Sequence, residues 1–136
     1  MTKEECIFCK IIKGELPSYK IYEDKYTYAF LDISKDVYGH TLVIPKKHCT
    51  NMLDADTETH LRVLETVQKI SKHYTNNLGY TGINILNANN KDAQQSVFHY
   101  HIHILPRKEN DGINAWPINT PNNIDLAQAQ NELKLN

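Results

Sequence analysis

The stretch that most constrains this chain is Val97-Phe98-His99-Tyr100-His101-Ile102-His103-Ile104-Leu105, in which histidines alternate with aromatic and aliphatic residues. A period of two marks an extended strand, where successive side chains point to opposite faces. Read as a strand over residues 97–105, it puts His99, His101 and His103 on one face and Phe98, Tyr100, Ile102 and Ile104 on the other. The second face has a structural use, because it packs on a core. A single strand histidine is ordinarily a surface or satisfied core residue, but three on one face point to chemistry. At about 3.3 Å per residue, His99 and His103 stand about 13 Å apart. That is too far to share one metal, whose nitrogen ligands sit at about 2.0 Å. Two uses remain open. A His-x-His pair can chelate a metal with a third ligand from elsewhere, as in a metallohydrolase. Alternatively, a neutral imidazole can attack phosphorus while its neighbours bind the phosphoryl oxygens.

The rest of the chain supplies a frame for such a strand. Residues 6–13 read as a short helix, with Gly14 as its stop and Pro17 preventing continuation. Residues 19–22 and 26–31 form a candidate hairpin around Glu23-Asp24-Lys25, and residues 40–44 a strand stopped by Pro45. Over residues 57–78 the period becomes helical, with Leu61, Leu64, Val67, Ile70, Tyr74 and Leu78 forming an apolar stripe. Asp54 or Asp56 can cap its start. Residues 83–86 give a further strand, and the polar run 87–95 links it to the histidines. The expectation is an α+β domain, a five-stranded, mostly antiparallel sheet with one long helix and a short N-terminal one. It occupies residues 1–117. Residues 118–136 form a C-terminal extension, either carrying a short helix near 125–133 or partly disordered.

Composition narrows the function. The chain has 136 residues, enough for one core, and 15 Lys plus Arg against 16 Asp plus Glu. That balance offers no electrostatic footprint for nucleic acid or an anionic membrane. No apolar run is long enough to span a bilayer, and no secretory signal follows Met1. Three cysteines fit a reducing, cytoplasmic setting better than a disulfide scaffold. The five glycines are too widely spaced for a dinucleotide fingerprint or a P-loop. Cys6-x-x-Cys9 has half of a zinc-site spacing and is weak alone. His60 and His73 read as solvated helix residues.

The run His99-Tyr100-His101-Ile102-His103-Ile104-Leu105 resembles the signature of the histidine triad (HIT) nucleotide hydrolases and transferases, in which three histidines alternate with apolar residues. Cys6-Ile7-Phe8-Cys9-Lys10-Ile11-Ile12, Ala29-Phe30-Leu31-Asp32-Ile33, Gly39-His40-Thr41-Leu42-Val43-Ile44-Pro45-Lys46-Lys47-His48 and Gln95-Ser96-Val97-Phe98 follow the same family's order and spacing. The resemblance spans about residues 5 to 107 and is nearest to the bacterial HINT-like branch.

It implies a purine nucleotide substrate and a homodimer that joins two sheets into a ten-stranded one. His101 would be the nucleophile, forming a transient nucleotidyl-histidine that water hydrolyses. His103 and His40 would contact the phosphate, and the His99 carbonyl would orient the His101 ring. Ser96 would stand by the leaving group, and Gln95, Asn87 and Asn89 near the phosphate. Asp32 would hold the ribose hydroxyls, with Phe8, Ile11, Phe30, Ile33 and Leu42 around the base. Cys6, Cys9, His48 and His99 would hold a structural zinc. Relatives often carry glycine where Asn90 and Gln94 stand, and asparagine where Ala88 stands; Asn tolerates a left-handed backbone better than Gln does. Leu105-Pro106-Arg107 also resembles a run in dinucleoside polyphosphate hydrolases. A nucleotide-binding or zinc-stabilised interaction module with little turnover is the remaining alternative.

Overall fold

A computed structural model describes residues 3–136. A 3-10 turn at Lys3–Glu5 leads into α1 (Ile7–Ile12), whose N-cap is Cys6: its Sγ accepts from the Cys9 N–H at 3.4 Å. Strands β1 (Lys20–Glu23) and β2 (Thr27–Leu31) form a hairpin. Asp24 closes it, its Oδ1 accepting from the N–H groups of Tyr26 and Thr27 at 2.8 and 2.7 Å. Next come β3 (Thr41–Pro45), α2 (Thr57–Asn77), β4 (Gly82–Leu86), β5 (Ile102–Arg107) and α3 (Leu126–Leu133). Of the two aspartates that could cap α2, Asp56 does so, accepting from the Thr59 N–H at 2.7 Å.

The five strands form one antiparallel sheet in the order β1-β2-β3-β5-β4, an α+β architecture. Residues opposite one another share a face. Ala29, Val43 and Ile102 line up on the face that α2 covers with Val63, Val67, Ile70 and Tyr74. Phe30, Leu42, His103 and Leu86 line up on the other face, where α1 brings Phe8, Cys9 and Ile11. Full burial of each such apolar side chain stabilises the fold by roughly 1.5–3 kcal/mol. The hydroxyls trapped under α2 are paired, Thr27 with Thr66 at 2.7 Å and Thr41 with Tyr74 at 2.6 Å.

Two expectations need correction. The α2 stripe is rotated: Val63, Thr66, Val67, Ile70 and Tyr74 are buried, whereas Leu61, Leu64 and Leu78 are exposed. A buried threonine with a hydroxyl partner served where the sequence pattern favoured leucine. The histidine strand is also shorter than 97–105. Paired structure begins at Ile102, and the chain before it is pinned by single contacts to the end of β3 and the loop that follows. There Tyr100 N–H donates to Cys49 O at 2.9 Å, and the His99 ring meets Pro45 O at 2.9 Å. Tyr100, Ile102 and Ile104 reach the core, but Phe98 is only half-buried. Among the described residues, no helix is long and apolar enough to cross a membrane.

Candidate functional site

Between α1 and the sheet face carrying Phe30, Leu42 and His103 lies a cleft of about 390 Å³. A small-molecule site of the usual kind occupies some 300–1,000 Å³, about that size or larger. Phe8, Ile11, Phe30, Asp32, Ile33, Leu42, Ser96, His101 and His103 all line it. Ile33 is 80% exposed, at the rim, and Ser96 is exposed. Ile7, Leu16, Pro17, Ser18, Leu31 and Val97 complete the wall. Sequence reasoning missed Leu16, Pro17 and Ser18 because the turn after α1 carries no periodicity that assigns a face.

His101 is nearly inaccessible and edge-on to Phe8, with ring centroids 5.3 Å apart. Its Nδ1 stands 2.8 Å from the His99 carbonyl oxygen. A carbonyl only accepts, so Nδ1 carries the hydrogen and Nε2 bears the lone pair in the neutral ring. Burial, set against the bond to His99, holds the ring below the usual histidine range. At neutral pH His101 is therefore an uncharged imidazole with one nucleophilic nitrogen. His103 is pressed to about 4, by burial first and then by the charges of His101 and His40.

His40, just before β3, is buried behind the cleft. Its Nε2 lies 2.8 Å from His103 Nδ1 and 3.7 Å from Asp32 Oδ2, and its Nδ1 2.7 Å from Asp36 Oδ1. Asp36 was not among the residues expected here, and an acid four residues before a loop histidine gives no signal without the loop's path. His60, expected in solvent, is half-buried, its Nδ1 2.6 Å from the Tyr100 hydroxyl. His73 is exposed.

The polar loop stands beside the cleft. Asn87 Nδ2 donates to the His101 carbonyl at 3.0 Å, and Asn89 Nδ2 to Asn87 Oδ1 at 2.6 Å. Gln95 is buried, donating to Thr50 O and Val97 O and accepting from Asn51 Nδ2 and the Asn90 N–H. Its amide thus fastens the loop. Asn90 and Gln94 adopt φ of 74° and 69°, both in the region that favours glycine.

A second constellation lies under α1. Cys6 Sγ, Cys9 Sγ, His48 Nδ1 and His99 Nδ1 all fall within 4.8 Å of one another. Cys6–His99, Cys9–His99, Cys9–His48 and His48–His99 separations are 3.4, 3.6, 3.2 and 3.1 Å. Donors on one tetrahedral zinc, at about 2.0–2.3 Å from the ion, stand roughly 3.3–3.8 Å apart. His99 Nε2 faces the Pro45 carbonyl, so its hydrogen sits there and the Nδ1 lone pair points at the two sulfurs. A carbonyl holding the far nitrogen is how metal-binding histidines are usually oriented. Two sulfurs and two imidazoles, three of the four residues buried, fit a soft divalent ion.

Comparison with known proteins agrees with this geometry. The family model of the HIT domain matches residues 13–110. A HIT-like protein of Borreliella burgdorferi is 52% identical over 110 residues, 79% of each chain. An adenosine 5′-monophosphoramidase of Saccharomyces cerevisiae is 38% identical over 130 residues, covering 94% of this chain and 80% of its own. The crystal structure of a zinc-bound histidine triad protein from Mycobacterium smegmatis superposes with a TM-score of 0.78 at 36% identity, over 84% of this chain and 83% of that one.

Proposed function

The chain belongs to the HIT domain family, and on that premise we propose that it is a nucleotide hydrolase cleaving purine nucleoside 5′-phosphoramidates, or related conjugates of adenosine monophosphate, through a nucleotidyl group carried on His101. The observation that carries this reading is the His101 ring, neutral, oriented by its own chain at His99 O, and opening on an apolar cleft that also holds a carboxylate and a hydroxyl. The yeast relative is named as a phosphoramidase of the same kind.

The lone pair on His101 Nε2 forms the bond to phosphorus as the bond to the leaving amine breaks. The Ser96 hydroxyl gives that amine its proton and regains one from solvent. Water then breaks the phosphorus–histidine bond, releasing the nucleotide and restoring the neutral ring. Asp32 accepts the ribose hydroxyls, while Phe8, Ile11, Phe30, Ile33 and Leu42 surround the base. His103 binds a phosphoryl oxygen with His40 behind it, and the loop of Asn87, Asn89 and Gln95 shapes the phosphate mouth.

In the same reading Cys6, Cys9, His48 and His99 hold zinc. Four protein donors leave no open position, so the ion is structural. The sheet ends in two open edges, β1 and β4, and two copies pair into one ten-stranded sheet. No disulfide joins Cys6, Cys9 or Cys49, which suits the reducing cytoplasm.

The test is relative turnover of adenosine 5′-phosphoramidate and diadenosine polyphosphates by the purified protein. Higher kcat/KM on the phosphoramidate supports the reading, and the reverse makes the chain a dinucleoside polyphosphate hydrolase. Binding of adenosine monophosphate without turnover of either would make it a binding module.

A further inference from the structure

Behind the cleft, a carboxylate and two imidazoles stand in series: Asp36 Oδ1 to His40 Nδ1 at 2.7 Å, then His40 Nε2 to His103 Nδ1 at 2.8 Å. We propose that Asp36 is a positioning residue which, through His40, sets whether His103 offers a hydrogen or a lone pair to the phosphoryl group. This rests on the hydrolase reading, which gives His103 a phosphoryl oxygen to bind.

The carboxylate is held from three sides. Besides facing His40, Asp36 Oδ1 accepts from the Ser34 hydroxyl at 2.9 Å and the Val37 N–H at 2.8 Å. The loop is closed on itself by Asp32 N–H to His40 O at 2.9 Å and His40 N–H to Val37 O at 3.0 Å. Partial burial opposes ionisation of Asp36, but the bonds from His40, Ser34 and Val37 outweigh it and the carboxyl titrates below its ordinary range.

An ionised carboxylate only accepts, so His40 Nδ1 carries a hydrogen. Two states of the pair follow. In the neutral pair, His103 Nδ1–H donates to His40 Nε2, and His103 Nε2 bears a lone pair that repels an anionic phosphoryl oxygen. Adding one proton at His103 Nε2 moves the Nδ1 hydrogen across to His40 Nε2. The result is an imidazolium at His40 and a neutral His103 with its hydrogen on Nε2, ready to donate as charge develops on phosphorus. The positive charge belongs on His40, which has carboxylates on both sides, Asp36 at 2.7 Å and Asp32 at 3.7 Å. Facing His40 are also His103 and His101 from the histidine run, with Lys35, Tyr38, Tyr74 and Tyr80 around the cavity on its other side. The 2.8 Å separation is a hydrogen-bond length.

The test compares wild type, Asp36→Asn and Asp36→Glu as full-length, metal-loaded protein. One readout is the pH profile of kcat/KM on adenosine 5′-phosphoramidate; the other is the imidazole nitrogen resonances of His40 and His103 across pH. Asn keeps an oxygen for His40 Nδ1–H but loses the charge. Activity needs the protonated pair and is lost as pH rises, so Asp36→Asn moves the alkaline limb about one pH unit toward acid, a tenfold loss above it. The nitrogen resonances move in step, and Asp36→Glu restores both. Asp36 is 53% exposed, which keeps the shift near one unit. A uniform loss at every pH with unmoved resonances would overturn the proposal and leave Asp36 a loop brace. If the wild type does not turn over the phosphoramidate, the hydrolase reading fails, while the resonances still decide the role of Asp36.

Discussion

Replacing Gly39 by alanine places two separate costs at the entry to β3, one residue before His40. The backbone there has φ of +87°, a left-handed conformation that costs an L-residue roughly 1–2 kcal/mol. The added Cβ would also stand 2.7 Å from Pro106 Cγ. Pro106 is buried within β5, so relief requires β3 and β5 to part, an overpacking cost of about 1–3 kcal/mol. The sum is about 2–5 kcal/mol. Gly79 is the control, because its φ is +79° but nothing lies within 4 Å of a Cβ built there. Gly79→Ala therefore carries only the conformational cost, roughly 1–2 kcal/mol, and the difference between the variants isolates the packing term. Since Thr41 pairs with Ile104 and Leu42 with His103 across the same two strands, parting them also lengthens the His40–His103 contact. Urea unfolding of both variants gives the free energies, and kcat/KM on adenosine 5′-phosphoramidate reads the site. Gly39→Ala losing no more stability than Gly79→Ala would refute the packing argument; unchanged turnover in a destabilised Gly39→Ala would refute its link to the histidines.

Other perturbations have equally definite signs. The folded state holds His103 down to about 4 from 6.5, so its contribution is complete above pH 6.5 and lost as pH falls toward 4. The loss is at most about 3 kcal/mol; urea midpoints of wild type should fall more steeply over that window than those of His103→Asn, and parallel curves would contradict this. Gln94 sits at φ 69° and ψ 30°, so Gln94→Gly should raise stability by up to about 1 kcal/mol, the left-handed penalty less glycine's greater freedom when unfolded; a fall in the thermal midpoint would count against it. Chelation of the metal should lower the thermal midpoint and activity together, whereas activity lost from a protein of unchanged stability would favour a metallohydrolase.

Much of this architecture is legible in the residues because strong local patterns coincide with it. The alternation at Tyr100, Ile102 and Ile104 marks the core face of β5 and of the residues leading into it, and the polar break at Asp24 marks the first hairpin. The failures have physical causes. Leu61 and Leu64 lie on the helical period but off the sheet-facing side, and only the packing angle of α2 decides which side that is. Residues 97–101 look like strand because alternation reports side-chain direction, not backbone pairing; their bonds go instead to Pro45 and Cys49. Asp36 was invisible for a similar reason. Nothing local tells that the 32–40 loop turns its carboxylate onto His40, just as nothing local brings Cys6 and Cys9 to His48 and His99.

The central claim is that His101 Nε2 takes the nucleotidyl group. The direct measurement is intact-protein mass spectrometry after rapid quenching with adenosine 5′-phosphoramidate, at a pH that preserves phosphorus–histidine bonds, on wild type and His101→Ala. The account predicts one adenylyl group added to the wild-type chain and none to the variant, whose turnover is abolished while adenosine monophosphate still binds. An adduct that persists in His101→Ala, or turnover that survives the substitution, would contradict it.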